Sequence, residues 1–139
     1  MEIIHWRLYF AIGASETIEF NSQRLGTGTD TRTRLFIHHR NYLTSKNDPF
    51  ATKEIAVNGT HAIEKIFQSF IGDRKLDQYR LTALGSGCRF WCQNALQDLE
   101  TDGVLPGGTS VTLENWIKGL NTTHGNDLVP YPLLKGTFY

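Results

Sequence analysis

Cysteine is scarce in this chain: only Cys88 and Cys92 occur among 139 residues. Two cysteines are too few for the disulfide framework that holds small secreted domains together. They stand four residues apart, and side chains at that spacing on a helix lean in parallel and rarely reach disulfide geometry. We therefore expect reduced thiols and a cytoplasmic location.

An excess of charge is also missing, as are long apolar runs. Lys plus Arg and Asp plus Glu both number 14, so the net charge is zero. With no concentrated basic run, we expect no nucleic-acid partner. No apolar run approaches the roughly 20 residues of a membrane span. Arg7 interrupts the only early apolar segment, which argues against a signal peptide.

Motifs for phosphate and metal binding are absent too. The glycine-rich residues 26–31 are not followed by the Gly-Lys-Ser/Thr of a phosphate loop. The histidines and cysteines lack the usual spacing of zinc ligands. We therefore expect neither a cofactor nor a metal. The chain is 40% hydrophobic, which favours a folded protein, and its length favours a single domain over residues 1–139.

Alternating residues predict a set of strands. Residues 2–12 present one apolar face, which includes Trp6, and one mixed face, which includes His5 and could line a cleft. The hairpin partner over residues 17–22 carries Glu19 and Asn21 on one face. Further strands are predicted over residues 33–42, 54–57 and 79–84.

Helical spacing predicts three helices. The first is capped by Thr60 and runs through residues 62–71, the second runs from Cys88 to a stop at Gly103, and the third runs from a Thr112 cap through residue 120. Residues 121–139 are expected as an irregular tail on the surface of a core spanning 2–120. This order of elements predicts an α+β domain, with an antiparallel sheet packed on a central helix that begins near Cys88.

The start of that central helix is the candidate site. Gly85 and Gly87 allow a sharp turn and a close approach to a ligand. Backbone amides and the helix dipole are expected to lower the pKa of the Cys88 thiol from about 8.5 to roughly 3.5–7.5. A nucleophilic thiol needs a base and a group that orients the base. His5 is the best-placed base by pattern, and Glu19 or Asn21 could orient it.

Other interpretations stay open. Cys88 could be a small apolar core residue, as we expect for Cys92. Arg89 could be an ordinary surface charge, although its position against the helix dipole hints at an anionic substrate group. A metal site formed by His5, Cys88 and His38 is the weakest alternative.

Two short motifs carry a resemblance: His5-Trp6-Arg7-Leu8-Tyr9 and the later Gly87-Cys88-Arg89-Phe90-Trp91. Their order resembles the circularly permuted papain-like enzymes, which include NlpC-like proteins and relatives of lecithin retinol acyltransferase. They also resemble an uncharacterised fungal family with a His-Trp strand and a Gly-Cys-Arg-aromatic-Trp helix start. The resemblance implies a permuted papain-like domain with Cys88 as nucleophile and His5 as base.

The same resemblance places the third residue at Asn21 or Glu19, with Asn21 favoured, and the backbone N–H of Cys88 in an oxyanion hole. Six residues flanking the motifs are the candidates for substrate contact: Trp6, Arg7, Tyr9, Ser86, Arg89 and Trp91.

We therefore expect a cysteine-dependent hydrolase or acyltransferase whose partner is a small amide, ester or thioester. One alternative is an enzyme of fungal secondary metabolism that uses the cleft for a non-hydrolytic cyclisation or isomerisation. Another alternative is an inactive domain that binds a ligand or a protein there.

Overall fold

A computed structural model describes residues 5–26, 28–43, 51–83, 85–124 and 133–139. The chain combines helices with small antiparallel sheets, which confirms the α+β class. In order, the elements are β1 (Leu8–Ala11), β2 (Thr17–Arg24), β3 (Thr33–Arg40), α1 (Ile63–Phe67), a π-helical segment (Gln68–Asp73), β4 (Tyr79–Arg80), α2 (Cys88–Thr101), α3 (Thr109–His124) and β5 (Thr137–Phe138).

The first sheet is an antiparallel meander in the order β1-β2-β3. Phe20 on β2 lies opposite Leu8 on β1 and Ile37 on β3, and these apolar side chains pack on the core. The other face carries Glu19, opposite Tyr9 and His38. The predicted alternation of the hairpin is thus confirmed. Strand pairing begins only at Leu8, and residues 2–4 of the predicted first strand lie outside the described residues.

The second sheet pairs β4 with β5, and Tyr79 lies opposite Phe138. A bridge between Arg32 and Arg80 links this sheet to β3, and the Leu81 N–H donates to the Thr31 carbonyl at 2.9 Å. The prediction of an irregular surface tail over residues 121–139 is therefore wrong at both ends, because α3 continues to His124 and residues 137–138 form β5. The strand predicted over 79–84 was too long, because the chain turns after β4: the Gly85 N–H donates back to the carbonyl of Thr82.

Helix α2 packs against the apolar face of the first sheet through an intermediate aromatic ring. The Phe70 ring lies 5.3 Å from that of Phe20 and 6.2 Å from that of Trp91, both edge-on. The indole N–H of Trp91 donates to the Leu76 carbonyl at 2.7 Å, so its polar atom is satisfied inside the core. Cys92 is buried in this core, as predicted. Among the described residues, no helix is long and apolar enough to span a bilayer.

Three helix predictions need correction. Ala62 stands at the N-cap of α1, and no side chain caps that helix, so Thr60 does not have the predicted role. After Phe67 the helix widens into the π-helical segment instead of continuing as an α-helix. Residues 51–57, which include the strand predicted over 54–57, form no regular element.

The start of α3 differs from the prediction because its cap comes from a distant residue. The Glu100 carboxylate accepts hydrogen bonds from the Ser110 N–H at 3.2 Å and from the Ser110 hydroxyl at 2.9 Å. A carboxylate at this position satisfies exposed amides and complements the helix dipole. The helix therefore begins at Thr109, three residues before the predicted Thr112 cap.

Candidate active site

Cys88 is the first residue of α2 and is half-buried. Its sulfur lies close enough to three backbone amides, those of Trp6, Arg89 and Cys88 itself, for their hydrogen bonds to lower its pKa. Because Trp6 directly follows His5, the contact brings the beginning of the described chain against the start of α2. Cys88 and Cys92, both described, form no disulfide.

The pKa of Cys88 is raised, whereas the helix dipole predicted that it would be lowered. Burial is the largest influence and raises the pKa of the Cys88 thiol, and the three amides and the Arg89 charge offset it only in part. The thiol therefore keeps its proton at neutral pH. A nucleophilic Cys88 would need a neighbouring base to remove that proton during the reaction.

His5 is held by a side chain of β2. Its Nε2 lies 2.5 Å from Oδ1 of Asn21 in a partly buried contact. The Asn21 amide nitrogen donates to Oε1 of Gln23 at 3.4 Å, which directs Oδ1 towards the ring. An oxygen acceptor requires the hydrogen on Nε2, so neutral His5 keeps Nδ1 as its proton acceptor.

The protonation state of His5 suits a base. Although the residue as a whole is exposed, partial burial of its ring is the largest influence and lowers the pKa of His5 from 6.5. The hydrogen bond to Asn21 raises this pKa, while the charge of Arg7 lowers it further. The imidazole is therefore neutral at pH 7 and able to accept a proton.

Glu19, the other candidate for orienting His5, is engaged elsewhere. Its side chain is 1% exposed, and its Oε1 accepts a hydrogen bond from Arg40 Nη2 at 3.3 Å. Arg7 Nη1 and His38 Nδ1 each lie 3.8 Å from the carboxylate. Burial raises its pKa, but Tyr9, Arg40 and Arg7 together hold the pKa of Glu19 below its ordinary value. Glu19 is thus an ionised partner of the surrounding cations.

The remaining predicted contact residues divide into two groups. Trp91 has no exposed surface, and Arg89 is buried with its Nε donating to Gln93 Oε1 at 3.2 Å, so neither lines an open cleft. Gln93 in turn donates to Glu114, which ties α2 to α3. Both side chains turn into the protein, so substrate contact by Trp91 and Arg89 stays a prediction that their burial does not favour.

The other four predicted contact residues keep some accessible surface. Trp6 is half-buried and meets the Trp116 ring edge-on at 6.4 Å. Ser86 lies in the turn before α2, where its N–H donates to Thr82 Oγ1 at 3.1 Å. Arg7 and Tyr9 lie beside Glu19, on the side of the sheet where Asn21 binds His5.

The glycine turn before α2 serves a tyrosine that the sequence did not single out. Gly87 has a φ of 128°, and a Cβ there would lie 2.8 Å from the Tyr79 hydroxyl. That hydroxyl donates to the Gly87 carbonyl at 2.6 Å and accepts from the Gly136 N–H at 3.0 Å. Burial raises the pKa of Tyr79 to about 12, so it stays a neutral donor. The close approach predicted for a ligand is therefore made by Tyr79.

In the part of the chain that the structure describes, neither a cluster of metal ligands nor the two depressions named below include Cys88 or His5. In the described ranges, no three His, Cys, Asp or Glu side chains cluster as metal ligands would. His38, the proposed third ligand, instead contacts Arg40 Nη2 at 3.0 Å. Two surface depressions lie elsewhere, one beside Pro106 and Leu113, the other beside Ser69 and Asp102.

The fold and the site together define a mixed α+β protein in which a thiol at a helix start lies beside the Trp6 amide, while the preceding residue, His5, has its imidazole bound to a carboxamide. The chain belongs to the family described as domain of unknown function DUF7770, whose model matches residues 1–139. Searches of the curated proteins and of the solved structures gave no match.

Proposed function

We propose that this protein is a cysteine-dependent hydrolase or acyltransferase of the permuted papain-like type, acting on a small amide, ester or thioester. The observation that carries the proposal is the bond from His5 Nε2 to Asn21 Oδ1, made one residue before the Trp6 amide that approaches Cys88. A thiol, a base and an orienting group are the parts that acyl transfer through a thiol requires.

In the proposed reaction, His5 Nδ1 accepts the thiol proton as the Cys88 sulfur attacks the carbonyl carbon. The carbonyl π electrons move to oxygen, and the oxyanion is stabilised by the backbone N–H of Cys88 at the positive end of the helix dipole. The intermediate collapses as His5 returns the proton to the leaving amine, alcohol or thiol. Water, or a second amine or alcohol, then attacks the acyl-enzyme with His5 again as base.

A second candidate function has an observation in its favour. Burial raises the pKa of Cys88, as it would in a domain that binds a ligand or a protein without chemistry. The two functions differ in one property: only the enzyme transfers an acyl group to the sulfur. Acylation of Cys88 therefore separates them.

The test is covalent labelling by p-nitrophenyl acetate, a small neutral ester, followed by mass spectrometry of the intact protein and its peptides. We expect an acetyl adduct on Cys88 in the wild type and in the matched control Cys92→Ala, which removes the only other thiol. Cys88→Ala should give none. His5→Gln should slow acylation by about 10²- to 10⁴-fold, the usual contribution of a general base. Folding of each variant is verified by circular dichroism.

The proposal fails if folded wild-type protein forms no adduct at Cys88. It also fails if His5→Gln is acylated at the wild-type rate, because Cys88 would then react as an isolated thiol.

A further inference from the structure

The polar face of the first sheet carries more positive than negative charge. Glu19 is the acidic residue at its centre, and the guanidinium groups of Arg7 and Arg40 flank it. His38, on the neighbouring strand, lies beside the same carboxylate. One carboxylate can neutralise one guanidinium, so this cluster keeps at least one positive charge. The Glu19 side chain is 1% exposed, whereas those of Arg7 and Arg40 are 37% and 35% exposed.

The two arginines have donors to spare. The Nη1 of Arg7 is 3.8 Å from Glu19 Oε2, beyond hydrogen-bond distance. The Nη2 of Arg40 contacts Glu19 and His38, but its buried Nε has no hydrogen-bond partner in the described part of the chain. A guanidinium has five N–H donors, and a buried donor without an acceptor is costly. Among the described residues, Oε2 of Glu19 is likewise buried without a hydrogen-bond partner, so the donors open to an anion are those on the exposed parts of the two guanidinium groups.

The cluster also adjoins the proposed reaction centre. Arg7 is two residues from His5, and its charge acts on the imidazole. Two residues of extended chain span roughly 7 Å. On the next strand, Glu19 and Asn21 are likewise two residues apart on one face.

We propose that Arg7 and Arg40 form a subsite for an anionic group of the substrate, a carboxylate or a phosphate, and that Arg7 lies two residues along the chain from the proposed base His5. Glu19 fixes the two guanidinium groups and lowers the net charge of the subsite. The class of substrate is then a small acyl compound with an acidic group, which rests on the proposed function. Binding of the acidic group alone does not depend on any chemistry at Cys88.

The first experiment measures the binding of inorganic phosphate and of succinate to the protein by isothermal titration calorimetry. Sodium chloride at the same ionic strength is the control titrant. We expect one of these anions to bind wild-type protein. Arg7→Gln should weaken that binding by roughly tenfold or more, as expected for the loss of a charge-assisted hydrogen bond. Glu19→Gln, which keeps the side-chain shape and removes the opposing charge, should strengthen it. The control Lys118→Gln removes one exposed charge on α3 and should leave the affinity as in the wild type.

The subsite is ruled out if neither anion binds the wild type, or if Arg7→Gln and Lys118→Gln bind alike. If Glu19→Gln fails to fold, the comparison of the anion affinities of Arg7→Gln and Lys118→Gln still decides whether the subsite exists. Stronger binding of phosphate than of succinate identifies a phosphate-bearing substrate, and the reverse identifies a carboxylate.

The second arm compares acylation of Cys88 by p-nitrophenyl acetate and by the mono-p-nitrophenyl ester of succinate. We expect the acidic ester to react roughly tenfold faster in the wild type and in Lys118→Gln, and this preference to disappear in Arg7→Gln. Equal rates for both esters would overturn the subsite and leave the proposed function standing. Anion binding without acylation by either ester would overturn the proposed function and leave the subsite standing.

Discussion

At the scale of single residues, the site depends on which polar side chain of β2 contacts His5. Strand parity correctly predicted that Glu19 and Asn21 share one face. It could not predict that Asn21 would bind the imidazole, because that depends on where arginines from neighbouring segments lie. Arg7 and Arg40 draw the carboxylate of Glu19 to themselves. Gln23, which directs the Asn21 amide, follows the same parity and could have been anticipated from it.

The lowered pKa of His5 predicts the acid limb of the activity profile. Above the folded-state pKa the imidazole is neutral and acts as a base; as pH falls through that value it binds a proton and activity is lost. Because burial lowers this pKa from 6.5, kcat/KM for ester hydrolysis should fall with a midpoint below pH 6.5. Asn21→Ala removes a hydrogen bond that raises the pKa of His5, so the midpoint should move to lower pH.

The Asn21→Ala substitution should also reduce kcat/KM by about 10- to 100-fold, because the His5 imidazole loses the group that orients it. The control is His39→Gln, which removes an exposed histidine paired with Glu16 on the same sheet and should leave the midpoint in place. A wild-type midpoint above pH 6.5, or an Asn21→Ala midpoint equal to that of the wild type, would contradict this role for Asn21.

At the scale of elements, the sequence correctly predicted the strands and helices whose formation depends on a local residue pattern. The hairpin of β1 and β2 and the helix α2 follow from alternation and from helical spacing, because each buries one continuous apolar face. The start of α3 and the π-helical segment were not predicted, since they depend on contacts between distant residues. Glu100 sets the first through Ser110. In the second, the Ser69 hydroxyl donates to Oδ2 of Asp102, 33 residues later in the chain.

The turn before α2 is the element most sensitive to a single methyl group. Gly87→Ala forces an alanine into a φ of 128° and places its Cβ 2.8 Å from the Tyr79 hydroxyl and 3.0 Å from the Gly136 nitrogen. We expect a loss of about 2–4 kcal/mol in the free energy of unfolding, from backbone strain and overpacking together. Urea denaturation followed by circular dichroism measures it.

Gly103→Ala is the matched control for this turn. Gly103 also has a positive φ, 78°, but a Cβ there would meet no atom within 4 Å. Only the backbone strain then lowers the free energy of unfolding, by about 1–2 kcal/mol. Equal losses in the two variants would show that the contact with Tyr79 adds no constraint at the start of α2.

At the scale of the whole molecule, the two ends of the described chain converge on one helix start. The N-terminal segment reaches Cys88 through the Trp6 amide, and the C-terminal segment reaches Gly87 through Gly136 and Tyr79. The contact of the C-terminal segment with the start of α2 was not predicted, because residues 137–138 are too few to show a periodic pattern. Their strand exists through its pairing with β4, far away in the chain.

Strand β5 should therefore stabilise the protein through the aromatic ring of Phe138, which points inward. Phe138 lies 4.6 Å from the Tyr79 ring and 6.0 Å from the Phe90 ring, centre to centre, and Tyr79 is fully buried. Phe138→Ala should lower the free energy of unfolding by about 2–3 kcal/mol, less than for a fully buried phenylalanine because the ring is only partly covered. Tyr139→Ala, at the neighbouring 56% exposed residue, should cost no more than about 1 kcal/mol.

The comparison of these two variants tests how the molecule supports its site. If Phe138→Ala loosens Tyr79, the Gly87 turn loses its anchor, and acylation of Cys88 should slow in Phe138→Ala while Tyr139→Ala keeps the wild-type rate. Stability within about 0.5 kcal/mol of the wild type in Phe138→Ala would place β5 outside the core. The start of α2 would then be held by the N-terminal segment and the glycine turn without help from the last strand.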